Sequence, residues 1–363
     1  MSAAPLPHAS PFPPTHKTHK RLLIYGMTTL PGLSFTEHDD FGSNGSIGEE
    51  TRRVLRIINA YRTSMLPPYQ SHFRVIALVV YKDGEGKVSH VCGANAEPCT
   101  IGGSICAERA ALVALRHVSP PVKLLALYVV TDEAKDALFP GILCKEYLSS
   151  MAEDSLPIFV ANAETTDVQK MTLGELYPFA SLYRHTDRND LVATAQALSK
   201  KLQAPATGSG AAKLYEEVLK ATARDDKDEF HPIRYAAGVL FADGTRVVAW
   251  QKKGIEYGTT IDAMVQLAHA LESDKAQGLA APTLILQSDQ SGILHAPSGH
   301  ARGFLMEYGY EDVPLLVHHT QTGELLSITV GATAPGRPLI SFVGEEGNGE
   351  AKREEHKNGN KST

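Results

Sequence analysis

The feature of this sequence that most constrains its fold is an internal repeat of strand and helix signals. "FRVIALVVYKDGEGKVSHV" and "RYAAGVLFADGTRVVAW" each hold two strand-like runs around an Asp-Gly turn, at 83–84 and 243–244. Each is followed by a helix signal, a buried strand, a helix that begins at a proline, and a further apolar strand. Because strands that alternate with helices form a mixed sheet covered by helices, the sequence predicts an α/β fold repeated twice.

The repeat divides the 363 residues into five parts. Residues 1–45 are rich in Pro, Ser, Thr and His, show no period, and are predicted to be a disordered tail. Residues 46–185 form the first unit, 186–230 a helical linker, and 231–343 the second unit. The charged residues 344–363 are predicted to be a second disordered tail.

Composition excludes several classes of partner. Hydrophobic residues make up 43% of the chain and charged residues 21%, which is typical of a globular protein. The net charge of −6 disfavours a nucleic-acid polymer, whose phosphates attract clustered Lys and Arg. No apolar run approaches the ~18 residues of a membrane helix, and the first residues lack a secretory segment. We therefore expect a cytoplasmic protein, with organelle targeting by the basic N-terminal residues left open.

The cysteines point to a metal rather than to disulfides. Four cysteines in this length do not make a disulfide framework, and three of them lie in "CGANAEPCTIGGSICAER". A zinc ion that activates water takes three protein ligands, and the reaction needs a carboxylate to move protons. Cys106 and Glu108, two residues apart at a helix start, serve this chemistry, since the positive helix end favours a thiolate.

The region from about 50 to 180 resembles the cytidine deaminases. "PPYQSHF" is similar to the Pro-Tyr-Ser-x-Phe of the branch that acts on nucleosides, and "NAEPCTIGGSICAER" to its Asn-x-Glu-Asn and Cys-Ala-Glu-Arg. "FPGILC" stands at its Pro-Cys-x-x-Cys, and "LGELYP" at its closing Leu-Leu-Pro segment. The resemblance implies a three-layer α/β/α fold with a mixed sheet in each unit.

The resemblance also implies a zinc site with defined roles. Cys106 and Cys144 would bind zinc, and Glu108 would carry protons from the attacking water to the pyrimidine ring and the leaving amine. Arg109 would offset the negative charge of the thiolates.

The implied substrate is a free nucleoside, cytidine or deoxycytidine. Asn95 and Glu97 would hydrogen-bond the ribose hydroxyls, Phe73 would pack against the base, and the backbone N–H of Ala107 would hold the base carbonyl. Two-unit members of the family pair an active unit with a broken one. The resemblance therefore also implies a homodimer, in which residues of one unit complete a neighbour's site.

The sequence departs from the family pattern at one ligand. The first cysteine of Pro-Cys-x-x-Cys should follow Pro140 directly, but Gly141 stands there and has no side chain to ligate. Two thiolates remain where three are usual. Cys92 or Cys99 is left open as a substitute, although the matching family positions do not ligate.

The second unit is predicted to be a degenerate copy. When "GTTID" is aligned with "GGSIC", Asp262 stands for Cys106, and Met264 for Glu108. The other site positions become Gln251, Lys253 and Val265, and Ser298 and Ala301 replace the second pair of thiols. Because these side chains cannot build the zinc site, we expect this unit to be retained for packing.

These observations favour zinc-dependent hydrolytic deamination of cytidine or deoxycytidine to the uridine product, a reaction of pyrimidine salvage. Gly141 supports an alternative, a catalytically silent protein of this fold that binds a nucleoside or acts as a scaffold or partner subunit. A weaker alternative is deamination of another amine-bearing heterocycle, since the fold serves several such substrates.

Overall fold

The computed structural model describes residues 29–36, 39, 41, 47–118, 120–268, 270–272, 280–319 and 322–336. The predicted C-terminal tail and most of the N-terminal one lie outside the described residues. Residues 29–36 differ from the prediction, because Leu30 is only 6% exposed and its N–H donates to Nε2 of His90 at 2.8 Å. The predicted N-terminal tail is therefore too long at its C-terminal end, where an apolar segment packs on the first unit.

The first unit is one five-stranded mixed sheet with helices on both faces. Its strands lie in the order β2-β1-β3-β4-β5, and β3 and β4 are the parallel pair. The edge strand β5 was not predicted, because its residues are only partly buried and carry no apolar run. The elements are α1 (Glu49–Ser64), β1 (Val75–Lys82), β2 (Val88–Ala94), α2 (Ala107–Ala114), β3 (Lys123–Thr131), α3 (Ile142–Ser149), β4 (Pro157–Ala161), β5 (Val168–Thr172) and α4 (Leu173–Leu176).

The second unit repeats this topology. Its strands lie in the order β7-β6-β8-β9-β10, again with one parallel pair, β8 and β9. The helix predicted after "GTTID" starts as a 3-10 turn at Val265–Leu267, and 268 and 270–272 are helical. The remaining elements are α5 (Leu191–Ser199), α6 (Gly210–Ala221), β6 (Tyr235–Phe241), β7 (Arg246–Trp250), β8 (Pro282–Asp289), α7 (Gly299–Glu307), β9 (Pro314–His318) and β10 (Leu325–Thr329).

One boundary of the second unit differs from the prediction, and one of its strands was not predicted. Helix α6, predicted to belong to the linker, packs Leu214 and Val218 on the sheet just as α1 packs on the first sheet. The second unit therefore begins before residue 231. Strand β10 follows β9, which was predicted to be the last strand of the unit. Its residues are partly exposed, so the sequence shows no apolar run there.

The alternation of side chains along the strands places a core on each face. In β1, Ala77 and Val79 pack with α2, whereas Ile76, Leu78 and Val80 pack with α1. A strand buried on both faces reads as a continuous apolar run, as "VIALVV" does. The same division between α6 and α7 in the second unit confirms a three-layer α/β/α fold repeated twice.

The two units are joined through α3 and α7. The fully buried guanidinium of Arg302 donates to the carbonyl oxygens of Pro178 at 3.0 Å and Thr333 at 2.7 Å. Glu146 of α3 accepts from the N–H of Gly299, the first residue of α7, at 2.8 Å. These contacts fix α3, whose N-terminus carries part of the site. Among the described residues, the helices are too short or too polar to cross a membrane.

Candidate active site

The site is built where two helices begin. Cys106 is the N-cap of α2, and Glu108 is the second residue of that helix. Gly141 is the N-cap of α3, and Cys144 is its third residue. The side chain at neither N-cap bonds its helix start, and both helices direct the positive end of the dipole towards the cluster. Such ends stabilise thiolate charge, which explains why the sulfurs stand here.

The predicted metal residues meet in one cluster. The Sγ atoms of Cys106 and Cys144 and a carboxylate oxygen of Glu108 all lie within 4.8 Å of one another. Cys144 and Glu108 are buried, while Cys106 is half-buried. Nη2 of Arg109 donates to Sγ of Cys106 at 3.6 Å and to the carbonyl oxygen of Ser104 at 3.2 Å. Arg109 thus lies where it can offset thiolate charge.

The protein environment shifts the pKa values of Cys106, Cys144 and Glu108 in different directions. Hydrogen bonding from the Cys144 thiol, aided by Arg109 and opposed by burial, lowers the pKa of Cys106 to about 6. The same contact and burial raise the pKa of Cys144 above its ordinary value. Burial, with a contribution from the Cys106 thiolate, raises the pKa of Glu108 to about 7. These opposite shifts favour negative charge on Cys106 over Cys144, and burial favours the protonated form of Glu108.

A cavity of about 570 Å³ opens onto this cluster. Its lining includes Cys106, Ala107, Glu108 and Arg109, together with Phe73, Asn95 and Glu97. The fully buried Cys144 is the one predicted site residue outside this lining. The volume is in the range of sites for small organic ligands.

Asn95 and Glu97 organise the loop that carries Phe73. The carboxamide of Asn95 accepts from the N–H of Val75 and donates to the carbonyl oxygen of Phe73, both at 2.8 Å. Glu97 accepts from the Ser71 hydroxyl at 2.6 Å and from the Ser71 N–H at 2.7 Å. Both side chains line the cavity while holding its wall, and their contacts to ribose stay predictions.

Gly141 leaves open space at the missing ligand position. A Cβ atom built on it would have no neighbouring atom within 4 Å. The open substitutes are wrong, because Cys92 packs in the core on the α1 side of the sheet and Cys99 is exposed. Burial also raises the pKa of Cys92 to about 12. The two sulfurs present fit zinc by type, with one thiolate fewer than expected, and the carboxylate of Glu108 lies beside them.

Comparison with known proteins assigns the family. No protein-family model matches this chain. The cytidine deaminase of Halalkalibacterium halodurans is 32% identical over 123 residues, which span 34% of this chain and 86% of that protein. This chain belongs to the cytidine deaminase family. Similar solved structures are the cytidine deaminases of Burkholderia pseudomallei (27% identity, 38% of this chain, 100% of that one, TM-score 0.30) and Mycobacterium tuberculosis (23%, 35%, 96%, 0.29).

In the second unit of this cytidine deaminase homologue, other side chains occupy the positions equivalent to the metal cluster. The carboxylate of Asp262 accepts from the N–H groups of Met264 at 2.7 Å and Val265 at 3.3 Å, and it interacts with the Ser298 hydroxyl. Met264 and Ala301 are fully buried in the apolar core. In the part of this unit that the structure describes, no three metal-ligating side chains come together.

Sequence reasoning missed the contribution of the β3 end. The missed lining residues in and after this strand are Val129, Thr131, Asp132, Glu133, Ala134, Leu138 and Phe139. Asp132 is held by an ion pair with the buried Arg62 and by Nε of Arg74 at 3.0 Å. The available signal was the polar Thr-Asp-Glu that begins at the last residue of the buried strand β3.

Proposed function

We propose that the first unit catalyses the hydrolytic deamination of cytidine or deoxycytidine to uridine or deoxyuridine, as in pyrimidine salvage. The observation that carries this proposal is the cluster of Cys106, Glu108 and Cys144 at the wall of a nucleoside-sized cavity. Membership of the cytidine deaminase family supports the reaction type, and the free volume supports a free nucleoside rather than a polymer.

Zinc is the metal that suits the site. Cys106 and Cys144 would hold it, because thiolates are preferred zinc ligands. When bound, zinc would supply a Lewis acid that makes water nucleophilic at neutral pH. Arg109, at 3.6 Å from Sγ of Cys106, would balance the negative charge of the sulfurs.

Glu108 is the proton carrier in this proposal. Hydrolysis adds the water oxygen to C4 of the pyrimidine and releases ammonia, so protons must pass from the water to N3 and to the leaving amine. Glu108 lies beside both sulfurs and lines the cavity. Asp132 lines the same cavity but is held by two arginines. A positioned proton carrier contributes about 10²–10⁴-fold to the rate.

The nucleoside would be held by the remaining predicted residues. Phe73 is half-buried in the cavity wall and offers a ring to the base. The N–H of Ala107, in the first turn of α2, has no partner within its helix and would donate to the base carbonyl. Asn95 and Glu97, which also line the cavity, would contact the ribose hydroxyls.

We extend the proposal to a homodimer. Tyr69 is 79% exposed and Ile101 is 74% exposed, on loops next to the cavity-lining Ser71 and Ser104. Large apolar side chains exposed around a site are typical of surfaces that a partner covers. A second copy seated here would complete the cavity rim.

The direct test measures metal and turnover on the same purified protein. We expect about one zinc per chain by native mass spectrometry, and loss of cytidine absorbance on incubation. Glu108→Gln should keep the zinc and lower turnover at least 100-fold. Glu133→Gln removes another acid from the cavity lining and should cost less than ten-fold. Equal losses in both variants would contradict the role of Glu108.

A second function is favoured by Gly141, namely a nucleoside-binding protein without turnover. One missing thiolate weakens zinc binding, while the cavity that would receive the nucleoside is intact. This function predicts protein that is metal-poor, inert with excess zinc, and still able to bind cytidine. That combination would overturn the deaminase proposal.

A further inference from the structure

The second unit has a cavity at the place where the first unit has its site. Strand register equates Tyr235, which pairs with Asp289, with Val75, which pairs with Thr131. The isolated bridges Ala96↔Ile105 and Lys252↔Ile261 are equivalent in the two units. Gln251 and Lys253 therefore flank the second bridge as Asn95 and Glu97 flank the first. These residues line a cavity of about 330 Å³.

The deep end of this second cavity cannot perform the family's chemistry. Met264 replaces the proton carrier and is buried in the apolar core. The Tyr235 ring stands where the first unit has Val75, and it packs edge-on against His295 at 5.4 Å. Of these side chains, only Tyr235 lines the second cavity. Anything bound here would not be turned over.

The lining of the second cavity suits a flat heterocycle. Phe230, His231, Tyr235 and Tyr257 supply four rings. The hydroxyl of Tyr257 donates to the carbonyl oxygen of Phe230 at 3.1 Å, which holds the exposed Tyr257 ring at the mouth. Aromatic rings bind bases of any identity by stacking. The volume of about 330 Å³ is at the low end of the range for small-ligand sites.

The polar groups of the cavity favour a neutral ligand. Nζ of Lys253 lies 3.2 Å from Asp225 and 3.9 Å from Asp228, so its charge is already compensated. The Gln251 carboxamide makes no hydrogen bond with the described part of the chain, unlike that of Asn95, which bonds two backbone groups. A free carboxamide presents a donor beside an acceptor, which matches the paired N–H and C=O of a pyrimidine edge.

We propose that the second unit retains a binding site for a neutral nucleobase or free nucleoside, formed by Gln251, Tyr235 and Tyr257. Gln251 reads the edge of the base, and the two tyrosine rings cover its faces. The site binds its ligand without chemistry. It does not depend on zinc in the first unit.

The experiment counts binding sites by calorimetric titration of uridine into full-length Glu108→Gln protein, with ribose alone as the probe for sugar recognition. We expect two uridine sites per chain, the second with a Kd below about 1 mM, and no binding of ribose there. Gln251→Leu and Tyr257→Ser should each weaken the second site about ten-fold, as expected for loss of one base contact. Tyr257 is 67% exposed, so its substitution should not disturb folding.

Glu97→Gln is the matched control in the first unit. It should weaken the other site and leave the second unchanged. If the first unit fails to bind, a single site that responds to Gln251→Leu but not to Glu97→Gln still supports the second-unit site. A single site that responds only to Glu97→Gln would overturn it, and so would a second site that is insensitive to both second-unit variants.

Discussion

Replacing Gly141 by cysteine tests whether the first unit lacks one thiolate and nothing else. Gly141 has φ −62° and ψ 162°, which any residue adopts, and a Cβ there meets no atom within 4 Å. As the N-cap of α3, it stands at the start of the helix that also carries Cys144. We expect Gly141→Cys to fold and to bind zinc more tightly than the natural chain.

The size of the gain follows from the worth of one ligand. Four-ligand structural zinc sites in peptides gain about 10–16 kcal/mol on binding, which is roughly 2.5–4 kcal/mol per ligand. At about 1.4 kcal/mol per factor of ten, one added thiolate should tighten zinc binding roughly 60–700-fold. Arg109, already at 3.6 Å from Sγ of Cys106, is placed to offset part of the added charge.

The assay is competition for zinc with a chromophoric chelator at fixed pH. Gly141→Ser is the matched control, because it adds a side chain of similar size without a soft ligand, and an N-cap change from Gly to Ser alters stability by only a few tenths of a kcal/mol. We expect its zinc affinity to stay within about three-fold of the natural chain. Equal affinities for the cysteine and serine variants would refute the reasoning, since they would show that position 141 does not face the cluster.

Further predictions concern the frame of the site. Asp132→Asn should lower the free energy of unfolding in urea by about 3–5 kcal/mol, because it leaves Arg62, 3% exposed, without its countercharge; a loss under about 1 kcal/mol would contradict this. Gly93→Ala should displace α2, since its Cβ would lie 2.2 Å from the carbonyl oxygen of Ala107. It should therefore lower both the free energy of unfolding and the zinc affinity. Gly102→Ala is the control, because its Cβ meets no atom within 4 Å and should change neither quantity. Burial lowers the pKa of His318, so the unfolded chain is protonated at a higher pH than the folded one. The free energy of unfolding should therefore fall as the pH drops below about 6.5, by at most about 1.4 kcal/mol per pH unit. His318→Gln should flatten that slope when unfolding is measured at several pH values.

The central elements of the fold were predictable because their side chains repeat with simple periods. Strands β1 and β3 are buried on both faces and read as apolar runs, and α1 shows its apolar stripe. Strands β5 and β10 were missed because edge strands with half-exposed residues carry neither signal. Helix α6 was found but misassigned, since its packing partner is a sheet that follows later in the chain.

The chemical cluster was predictable because its parts are local. Cys106, Glu108 and Arg109 share one helix turn, and Cys144 occupies the start of the next helix that faces it. The ion pair between Asp132 and Arg62 was not, because it joins positions 70 residues apart in the chain, and no local pattern links them. The use of the Asn95 carboxamide to tie Phe73 and Val75 is likewise visible only in three dimensions.

Comparison of the two units indicates that the buried acid at position 108 lowers the stability of the fold. In the second unit the equivalent Met264 is buried among apolar side chains, so this fold has a stable solution without a charge at that place. In the first unit Glu108 is 4% exposed and its pKa is raised to about 7 by burial. A buried carboxyl destabilises the fold unless it is paired, so stability alone favours the methionine. A buried acid beside two sulfurs, at the wall of an open cavity, is what the proposed role of Glu108 in proton transfer requires, and packing alone does not call for it.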